Sequence, residues 1–236
     1  MGEDAAQGVT GETIWLDGEF VPWDEARVHV LTHSLHYGLG VFEGIRCYRT
    51  ADDRSAVFRL PEHVRRLYDS AHINLLDVPY KAETINEVIL DCLRRNNLVE
   101  GYIRPLVFIG DGAMGLNPGD NAIRVAVIAW QWGKYLGEEG MARGIRAKVS
   151  TFARHHVNAK MTNGKTCGDY VNSILAKREA LLDGYDEAVM LDTQGFVSEC
   201  SGENIFVVRD GKIRTPALGT ILDGITLSFL PGAKIG

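Results

Sequence analysis

The sequence predicts an α+β protein of two domains, in which strands and helices occupy separate stretches of the chain. Three observations support this fold class. Asp-Gly pairs stand between short apolar runs, which is typical of β-hairpins. Two stretches carry apolar residues at helical spacing. Several β-branched runs follow one another without an intervening helix, unlike the alternation of a doubly wound parallel sheet.

The first half of the chain is predicted to combine hairpins with two helices. Asp17-Gly18 separates two apolar runs, so residues 14–21 are expected to form a hairpin. Pro61 opens a helical pattern that continues to Leu75, since proline is tolerated in a first turn. A second helix is predicted over residues 82–96, and strands are predicted over residues 41–48, 102–109 and 122–130, with a loop over residues 110–120.

Residues 132–143 are predicted to link the two domains, because glycine and charge replace periodic apolar residues there. The domains would then comprise residues 1–131 and 144–236. The second is expected to contain a strand over residues 145–152 and a helix over residues 170–182 that ends at Gly184. Two hairpins are predicted, with turns at residues 192–195 and at Asp210-Gly211.

Composition excludes several classes of protein. The chain of 236 residues is 45% hydrophobic and carries a net charge of −6, which argues against general affinity for nucleic acid or acidic membranes. Its four cysteines lack C-x-x-C spacing and fit reduced thiols. There is no signal-peptide pattern and no apolar run of membrane-spanning length, so a cytoplasmic protein is expected.

Two apparent motifs are rejected. The glycine run of residues 38–44 places its third glycine one residue too late for a dinucleotide loop, and it precedes a strand instead of a helix. The histidine pairs, at positions 33 and 36 and at positions 155 and 156, lack metal-ligand spacing, so no metal site is predicted. They are interpreted as polar loop histidines.

Lys165 is the candidate reactive residue. It lies in the string Gly164-Lys165-Thr166-Cys167-Gly168-Asp169-Tyr170, just before a predicted helix. A lysine among small residues can face a cavity in a tight loop, where desolvation lowers its pKa and makes the amine nucleophilic. Such an amine suits a Schiff-base lysine. Taken alone, a loop lysine is more often a solvated surface group.

Two sets of strings carry a family resemblance. Residues 32–38 and 41–48, with Tyr102-Ile103-Arg104-Pro105-Leu106, resemble branched-chain aminotransferases. The patterns K-x-x-G-[ND]-Y, at residues 165–170, and S-E-x-x-G-E-N-[IL]-F, at residues 198–206, are similar to the whole fold-type IV class of pyridoxal-phosphate-dependent enzymes. Together they run from about residue 14 to residue 226 in the expected order.

The resemblance implies that pyridoxal 5′-phosphate is the cofactor and that Lys165 holds it and moves a proton. Glu199 would face the pyridine nitrogen, Tyr170 the phenolic oxygen and Arg66 the phosphate. Asn204 has a structural reading of equal weight, because asparagine favours turns. Lys160 is the competing lysine, but the spacing to Tyr170 and Glu199 fits Lys165. The implied cofactor-binding residues are Arg66, Lys165, Tyr170, Glu199, Asn204, Leu222, Gly224, Ile225 and Thr226.

The same resemblance implies transfer of amino groups between branched-chain L-amino acids and 2-oxoglutarate by a homodimer or larger homo-oligomer. Arg104 would bind the distal carboxylate of glutamate beside an apolar wall, although each aromatic residue could instead be core. Alternatives are a D-amino-acid aminotransferase, an aminodeoxychorismate-type lyase or an inactive fragment. The implied substrate-binding residues are Tyr37, Phe42, Gly44, Tyr102, Arg104 and Tyr135.

The chain departs from the family pattern near its end. Family members place an arginine after the Ile-Thr pair and continue through a long helix to a Ser-Gly-Thr phosphate loop. Here Leu227 follows that pair, Pro231 and Gly232 break the helix, and the sequence stops at Gly236 without a Ser-Gly-Thr string. The second domain of the fold-type IV architecture is therefore expected to be incomplete.

Overall fold

The computed structural model describes residues 9–132 and 142–217, together with residues 219, 221, 222 and 224. The first part of the chain forms a seven-stranded antiparallel sheet. Its strands are β1 (Thr13–Leu16), β2 (Glu19–Pro22), β3 (Gly40–Phe42), β4 (Ile45–Arg49), β5 (Ser55–Val57), β6 (Gly101–Ile109) and β7 (Ile123–Trp130). They run in the order β2-β1-β7-β6-β4-β5, and β3 also pairs with β6.

The predicted first hairpin is confirmed as β1 and β2. Its turn residues Asp17 and Gly18 have φ angles of 50° and 107°, the left-handed backbone that Asp-Gly pairs favour in two-residue turns. The Asp17 carboxylate also accepts a hydrogen bond from the backbone N–H of Val125 at 2.8 Å. The hairpin is thereby fixed to β7.

The two predicted helices of the first half are confirmed as α2 (Leu60–Ile73) and α3 (Ala82–Arg95), which follow the short helix α1 (His33–Tyr37). Their apolar faces pack on the sheet, where Leu67, Ile89 and Ile103 are fully buried in one core. Each such side chain contributes about 1.5–3 kcal/mol of hydrophobic stabilisation. The position of α2 matters for the site, because side chains on another face of this helix extend toward the second half of the chain.

The single strand predicted over residues 41–48 is wrong, since it is divided into β3 and β4. Both strands pair with β6, and the break at Glu43-Gly44 lies opposite Pro105. The Glu43 N–H donates to the Pro105 carbonyl at 3.0 Å, but proline has no N–H to return the bond. The ladder is therefore interrupted at this point.

A smaller sheet forms in the second half, with strand order β10-β9-β8. Strands β8 and β9 are parallel and are connected through helix α4, which packs on β9 through Ala176 and Ala180. The predicted helix and both predicted hairpins are confirmed. These elements are β8 (Ala147–Val149), α4 (Tyr170–Leu182), β9 (Glu187–Leu191), β10 (Val197–Cys200), β11 (Val207–Arg209) and β12 (Lys212–Arg214).

Strand β8 is shorter than the predicted strand of residues 145–152. The Ser150 hydroxyl accepts a hydrogen bond from the backbone N–H of Phe152 at 3.0 Å, a local turn that competes with the sheet ladder. The chain leaves the sheet there and approaches the site. Most of the predicted linker, residues 133–141, lies outside the described residues.

The interpretation of His33 as a polar loop residue is wrong. It begins α1 and is 2% exposed, and its Nε2 lies 2.7 Å from the carbonyl oxygen of Gly115. This contact joins α1 to the loop between β6 and β7. Within the described ranges, no helix combines the length and the apolar composition needed to cross a lipid bilayer. The observed architecture is α+β, as predicted.

Candidate active site

The segment that carries Lys165 is fixed to the first sheet by its backbone. The Phe42 N–H donates to the Lys165 carbonyl at 3.1 Å, and the Lys165 N–H donates to Ser70 Oγ at 3.0 Å. Gly168 donates to the Gly38 carbonyl at 3.0 Å, and a Cβ on Gly38 would lie 3.1 Å from Gly168 Cα. Small residues around Lys165 therefore permit a close backbone approach to β3.

The Lys165 amine lies in a buried and partly aromatic environment. Its Nζ donates to Tyr170 Oη at 2.7 Å and lies 5.0 Å from the centre of the Phe42 ring. Burial lowers the pKa of Lys165, and the positive charges of Arg66 and Arg104 act in the same direction against the pull of Glu43. A larger share of the amine is therefore neutral and nucleophilic than at the surface.

Tyr170 is brought to Lys165 by a short 3₁₀ turn at Cys167–Asp169, which leads directly into α4. Burial raises the pKa of Tyr170 to about 12, with the negative charge of Glu199 as a second cause. Its phenol accordingly stays protonated at neutral pH and can act as a hydrogen-bond donor.

The competing Lys160 has a different environment. Its Nζ lies 2.9 Å from Thr166 Oγ1 and 3.4 Å from a carboxylate oxygen of Asp169, and its side chain is 30% exposed. An amine held by a carboxylate and accessible to water keeps its charge more readily than the buried Lys165. This geometry supports Lys165 over Lys160.

Glu199 lies at the end of β10 and forms an ion pair with Arg154, with 2.7 Å between Arg154 Nη2 and Glu199 Oε1. The Leu222 N–H donates to the other oxygen at 3.3 Å. Burial raises the pKa of Glu199, and the Arg154 charge and the Leu222 hydrogen bond oppose that rise. Arg154 therefore helps to keep a buried carboxylate ionised.

Asn204 holds the segment that follows the last hairpin. Its Nδ2 donates to the Leu222 carbonyl at 3.1 Å, and a Cβ on Gly224 would lie 2.7 Å from Asn204 Oδ1. Asn204 thus positions the backbone whose N–H group binds Glu199. Ile225 and Thr226 lie outside the described residues.

Arg66 extends from α2 toward the same region. Its Nε and Nη2 donate to the two carboxylate oxygens of Glu43 at 2.6 and 2.9 Å, and His63 Nδ1 lies 2.8 Å from Glu43 Oε2. Arg66 and His63 are about one helical turn apart and lie on the same side of α2.

These side chains meet around one cavity of about 280 Å³. Its lining brings together an amine, a phenol, a carboxylate and two guanidinium groups that are distant in the sequence. The sequence-predicted cofactor residues that line it are Arg66, Lys165, Tyr170, Glu199, Asn204, Leu222 and Gly224.

Four of the predicted substrate-binding residues lie together beside the lysine. Arg104 Nη2 donates to Tyr102 Oη at 2.9 Å, and its guanidinium carbon is 4.4 Å from the centre of the Phe42 ring. Arg104 Nε is buried without a hydrogen-bond partner among the described residues. A Cβ on Gly44 would come within 2.1 Å of Tyr102 Oη, so Tyr102 occupies the space that only glycine leaves open.

The other two substrate-binding predictions are not placed with this group. Tyr37 is 44% exposed on α1, and its ring contacts within the described part of the chain are with His33 and His36. Tyr135 lies outside the described residues. No group of three or more His, Cys, Asp or Glu side chains in residues 9–132 and 142–217 is arranged to hold a metal ion.

Sequence reasoning missed three residues of the site, namely Glu43, His63 and Arg154. Glu43 gave a usable signal, because a carboxylate inside the apolar run of residues 41–45 must find a cation when that run is buried. His63 lies on a predicted helix, but that helix comes within reach of Glu43 only after folding. Arg154 gave no signal, since its partner is brought near by the second sheet.

Comparisons with known proteins agree with this geometry. The sequence matches the family profile of Amino-transferase class IV over residues 40–230. The branched-chain-amino-acid aminotransferase of Pseudomonas aeruginosa is 52% identical over 213 residues, which cover 90% of this chain and 69% of that protein.

Two solved structures are also similar. The branched-chain amino acid aminotransferase of Escherichia coli aligns with a TM-score of 0.89 and 44% identity, over 92% of this chain and 71% of that one. A branched-chain amino acid aminotransferase from T.th., solved with pyridoxamine 5′-phosphate, aligns with a TM-score of 0.88 and 47% identity, over 92% and 72%. The chain therefore belongs to the class IV aminotransferase family.

Proposed function

We propose that this protein transfers amino groups between branched-chain L-amino acids and 2-oxoglutarate with pyridoxal 5′-phosphate as cofactor. The observation that carries the proposal is the buried Lys165 amine, 2.7 Å from Tyr170 Oη in a cavity that Glu199 also lines. The names of the relatives, which are branched-chain aminotransferases, support the substrate class. The T.th. relative was crystallised with pyridoxamine 5′-phosphate, which supports the cofactor.

The chemistry of the cavity lining fits this cofactor. Arg66 would hold the phosphate together with backbone N–H groups near Gly224, and Lys165 would bind the aldehyde carbon. Glu199 would face the ring nitrogen and Tyr170 the phenolic oxygen. Arg154 Nε is buried with no hydrogen-bond partner among the described residues, so this wall still has a donor to offer. When bound, the cofactor supplies an electron-withdrawing ring that makes the Cα proton of the amino acid acidic.

The protein's own groups then have distinct tasks. The neutral amine of Lys165 accepts the proton from the substrate Cα at its Nζ, which its lowered pKa favours. Glu199 stays ionised through its pair with Arg154, and so presents a negative charge to a protonated ring nitrogen. The Tyr170 hydroxyl orients Lys165 Nζ, to which it is hydrogen-bonded.

The group of Phe42, Tyr102 and Arg104 suits a site that accepts two kinds of side chain. The guanidinium carbon of Arg104 lies near both rings, at 4.4 Å from the centre of Phe42 and 5.2 Å from that of Tyr102. A carboxylate such as the distal one of glutamate can bind the guanidinium, whereas the rings offer apolar contact to a branched aliphatic chain.

The substrate class can be tested with purified protein and added pyridoxal 5′-phosphate. We expect glutamate to form from 2-oxoglutarate with L-leucine, L-isoleucine or L-valine, at rates at least about 10²-fold above those with D-alanine. A stereospecific site of this kind discriminates by transition-state contacts of several kcal/mol. A preference for D-alanine, or conversion of aminodeoxychorismate, would assign the chain to the alternative chemistries of its class. No turnover with any of them would leave only cofactor binding.

Several further assignments are part of the proposal. The protein would act as a homodimer, because Val30 and Leu116 are 74% and 92% exposed on segments that His33 joins through Gly115. A monomer in analytical ultracentrifugation at micromolar concentration contradicts this. A cytoplasmic location is supported by the four free thiols. The division into residues 1–131, 132–143 and 144–236 is supported by the separate sheets before and after residues 132–143.

A further inference from the structure

Glu43 is a fully buried carboxylate at the break between β3 and β4. Its side chain is 0% exposed, and its backbone N–H is bonded to Pro105. A buried carboxylate destabilises a protein strongly unless cationic groups hydrogen-bond its oxygens. The contacts of Glu43 therefore explain its presence at this place in the fold.

Both oxygens of Glu43 are bonded to residues of α2. Arg66 binds them through two N–H groups, Nε to Oε1 at 2.6 Å and Nη2 to Oε2 at 2.9 Å. His63 Nδ1 lies 2.8 Å from Oε2. The paired bonds fix both the position and the plane of the guanidinium, which a single bond would leave free to rotate.

The arrangement places Glu43 behind the two cationic side chains. Arg66 and His63 line the cavity, whereas Glu43 is not among its lining residues. Glu43 is therefore placed to act on a ligand through Arg66 and His63. Its backbone continues into Phe42, whose N–H binds the Lys165 carbonyl, so the same strand end supports the lysine.

The charge of Glu43 separates two explanations of its role. Burial by itself would raise the pKa of Glu43, but the hydrogen bonds from His63 and Arg66 and the charges of Arg66 and Lys165 outweigh it and lower the pKa. An ionised Glu43 cancels part of the Arg66 charge. If net charge alone governed anion binding, removal of the Glu43 charge would strengthen it. If orientation governs, the same change weakens it.

We propose that Glu43 is a positioning residue for the phosphate of the cofactor, which fixes Arg66 and His63 in the orientation that faces the cavity. The inference rests on the proposed function, because it takes the phosphate of pyridoxal 5′-phosphate as the anion that Arg66 binds. Glu43 contacts neither the phosphate nor the reacting atoms.

The test compares a ligand that carries the phosphate with one that lacks it. Dissociation constants of pyridoxal 5′-phosphate and of pyridoxal are measured by absorbance titration for the wild type, Glu43→Gln and Glu62→Gln. Glu62 is the matched control, since its carboxylate pairs with Arg59 on the same helical segment at 2.8 Å but does not line the cavity.

Glu43→Gln is expected to weaken pyridoxal 5′-phosphate binding by roughly 10- to 100-fold, the equivalent of about one charge-assisted hydrogen bond. Pyridoxal binding should change by less than about two-fold, and Glu62→Gln should leave both constants unchanged. Glu43→Asp keeps the charge but retracts it by one methylene, and we expect the same selective loss to a smaller extent. Equal weakening of both ligands in both Glu43 variants, or tighter phosphate binding by Glu43→Gln, contradicts the inference.

A further variant, Arg66→Gln, separates failure of this inference from failure of the proposed function. Its readout is the preference for pyridoxal 5′-phosphate over pyridoxal, taken from the two dissociation constants. If Arg66→Gln leaves this preference unchanged, Arg66 does not bind the phosphate and its proposed role fails. If Arg66→Gln lowers the preference and both Glu43 variants do not, Arg66 binds the phosphate without help from Glu43. Loss in both sets supports the positioning role.

Discussion

Replacement of Lys165 by alanine is expected to lower the rate of amino-group transfer by at least about 10⁴-fold, because one residue supplies both the covalent attachment and the proton transfer. Its amine is the buried one, with Tyr170 Oη at 2.7 Å and a pKa lowered by burial. The measurement is the stopped-flow half-reaction with L-leucine. The cavity should still admit the cofactor, so its non-covalent binding is measured in parallel.

Lys160→Gln is the matched control for this prediction. Lys160 is partly exposed, is paired with Asp169 at 3.4 Å and is bonded to Thr166 at 2.9 Å. Glutamine preserves a donor to Thr166, so the half-reaction should stay within a few-fold of the wild type. A large loss in Lys160→Gln with little change in Lys165→Ala reverses the assignment of the two lysines.

Glu199→Gln is expected to keep the cofactor bound but to slow the half-reaction on the order of 10²-fold or more. A neutral amide cannot stabilise a positive charge on the ring nitrogen as an ionised carboxylate does. Arg154, at 2.7 Å, would lose its counter-charge in the same variant, which also disfavours a protonated ring nearby. An unchanged half-reaction rate shows that Glu199 is not the group that faces the ring nitrogen.

Glu203→Gln serves as the control for Glu199, because Glu203 also lines the cavity. It removes one negative charge from the same wall without removing the partner of Arg154. We expect its half-reaction to change by only a few-fold. A loss as large as that of Glu199→Gln would mean that total charge, and not the position of one carboxylate, controls the rate.

The elements predicted correctly from the sequence are those set by neighbouring residues. The turn at Asp17-Gly18 and the helices α2 and α3 follow from local backbone preference and from apolar spacing within one segment. The break between β3 and β4 could not be predicted in this way. It depends on Pro105, which lies opposite Glu43 only after β6 has paired with both strands.

The candidate site divides along the same line. The approach of Tyr170 to Lys165 is local, because a single 3₁₀ turn connects them. The pair of Arg154 with Glu199 joins a loop after β8 to the end of β10, and no spacing in the sequence indicates it. Charged groups brought together by tertiary structure determine which carboxylates stay ionised, and these contacts appear only in the folded chain.

The most direct test of the account is to identify the lysine that holds the cofactor. The protein is loaded with pyridoxal 5′-phosphate, reduced with borohydride and mapped by mass spectrometry with fragmentation that separates Lys160 from Lys165. The account predicts loss of the visible absorbance on reduction and a phosphopyridoxyl group on Lys165 alone. A label on Lys160, or no label on any lysine, would contradict it.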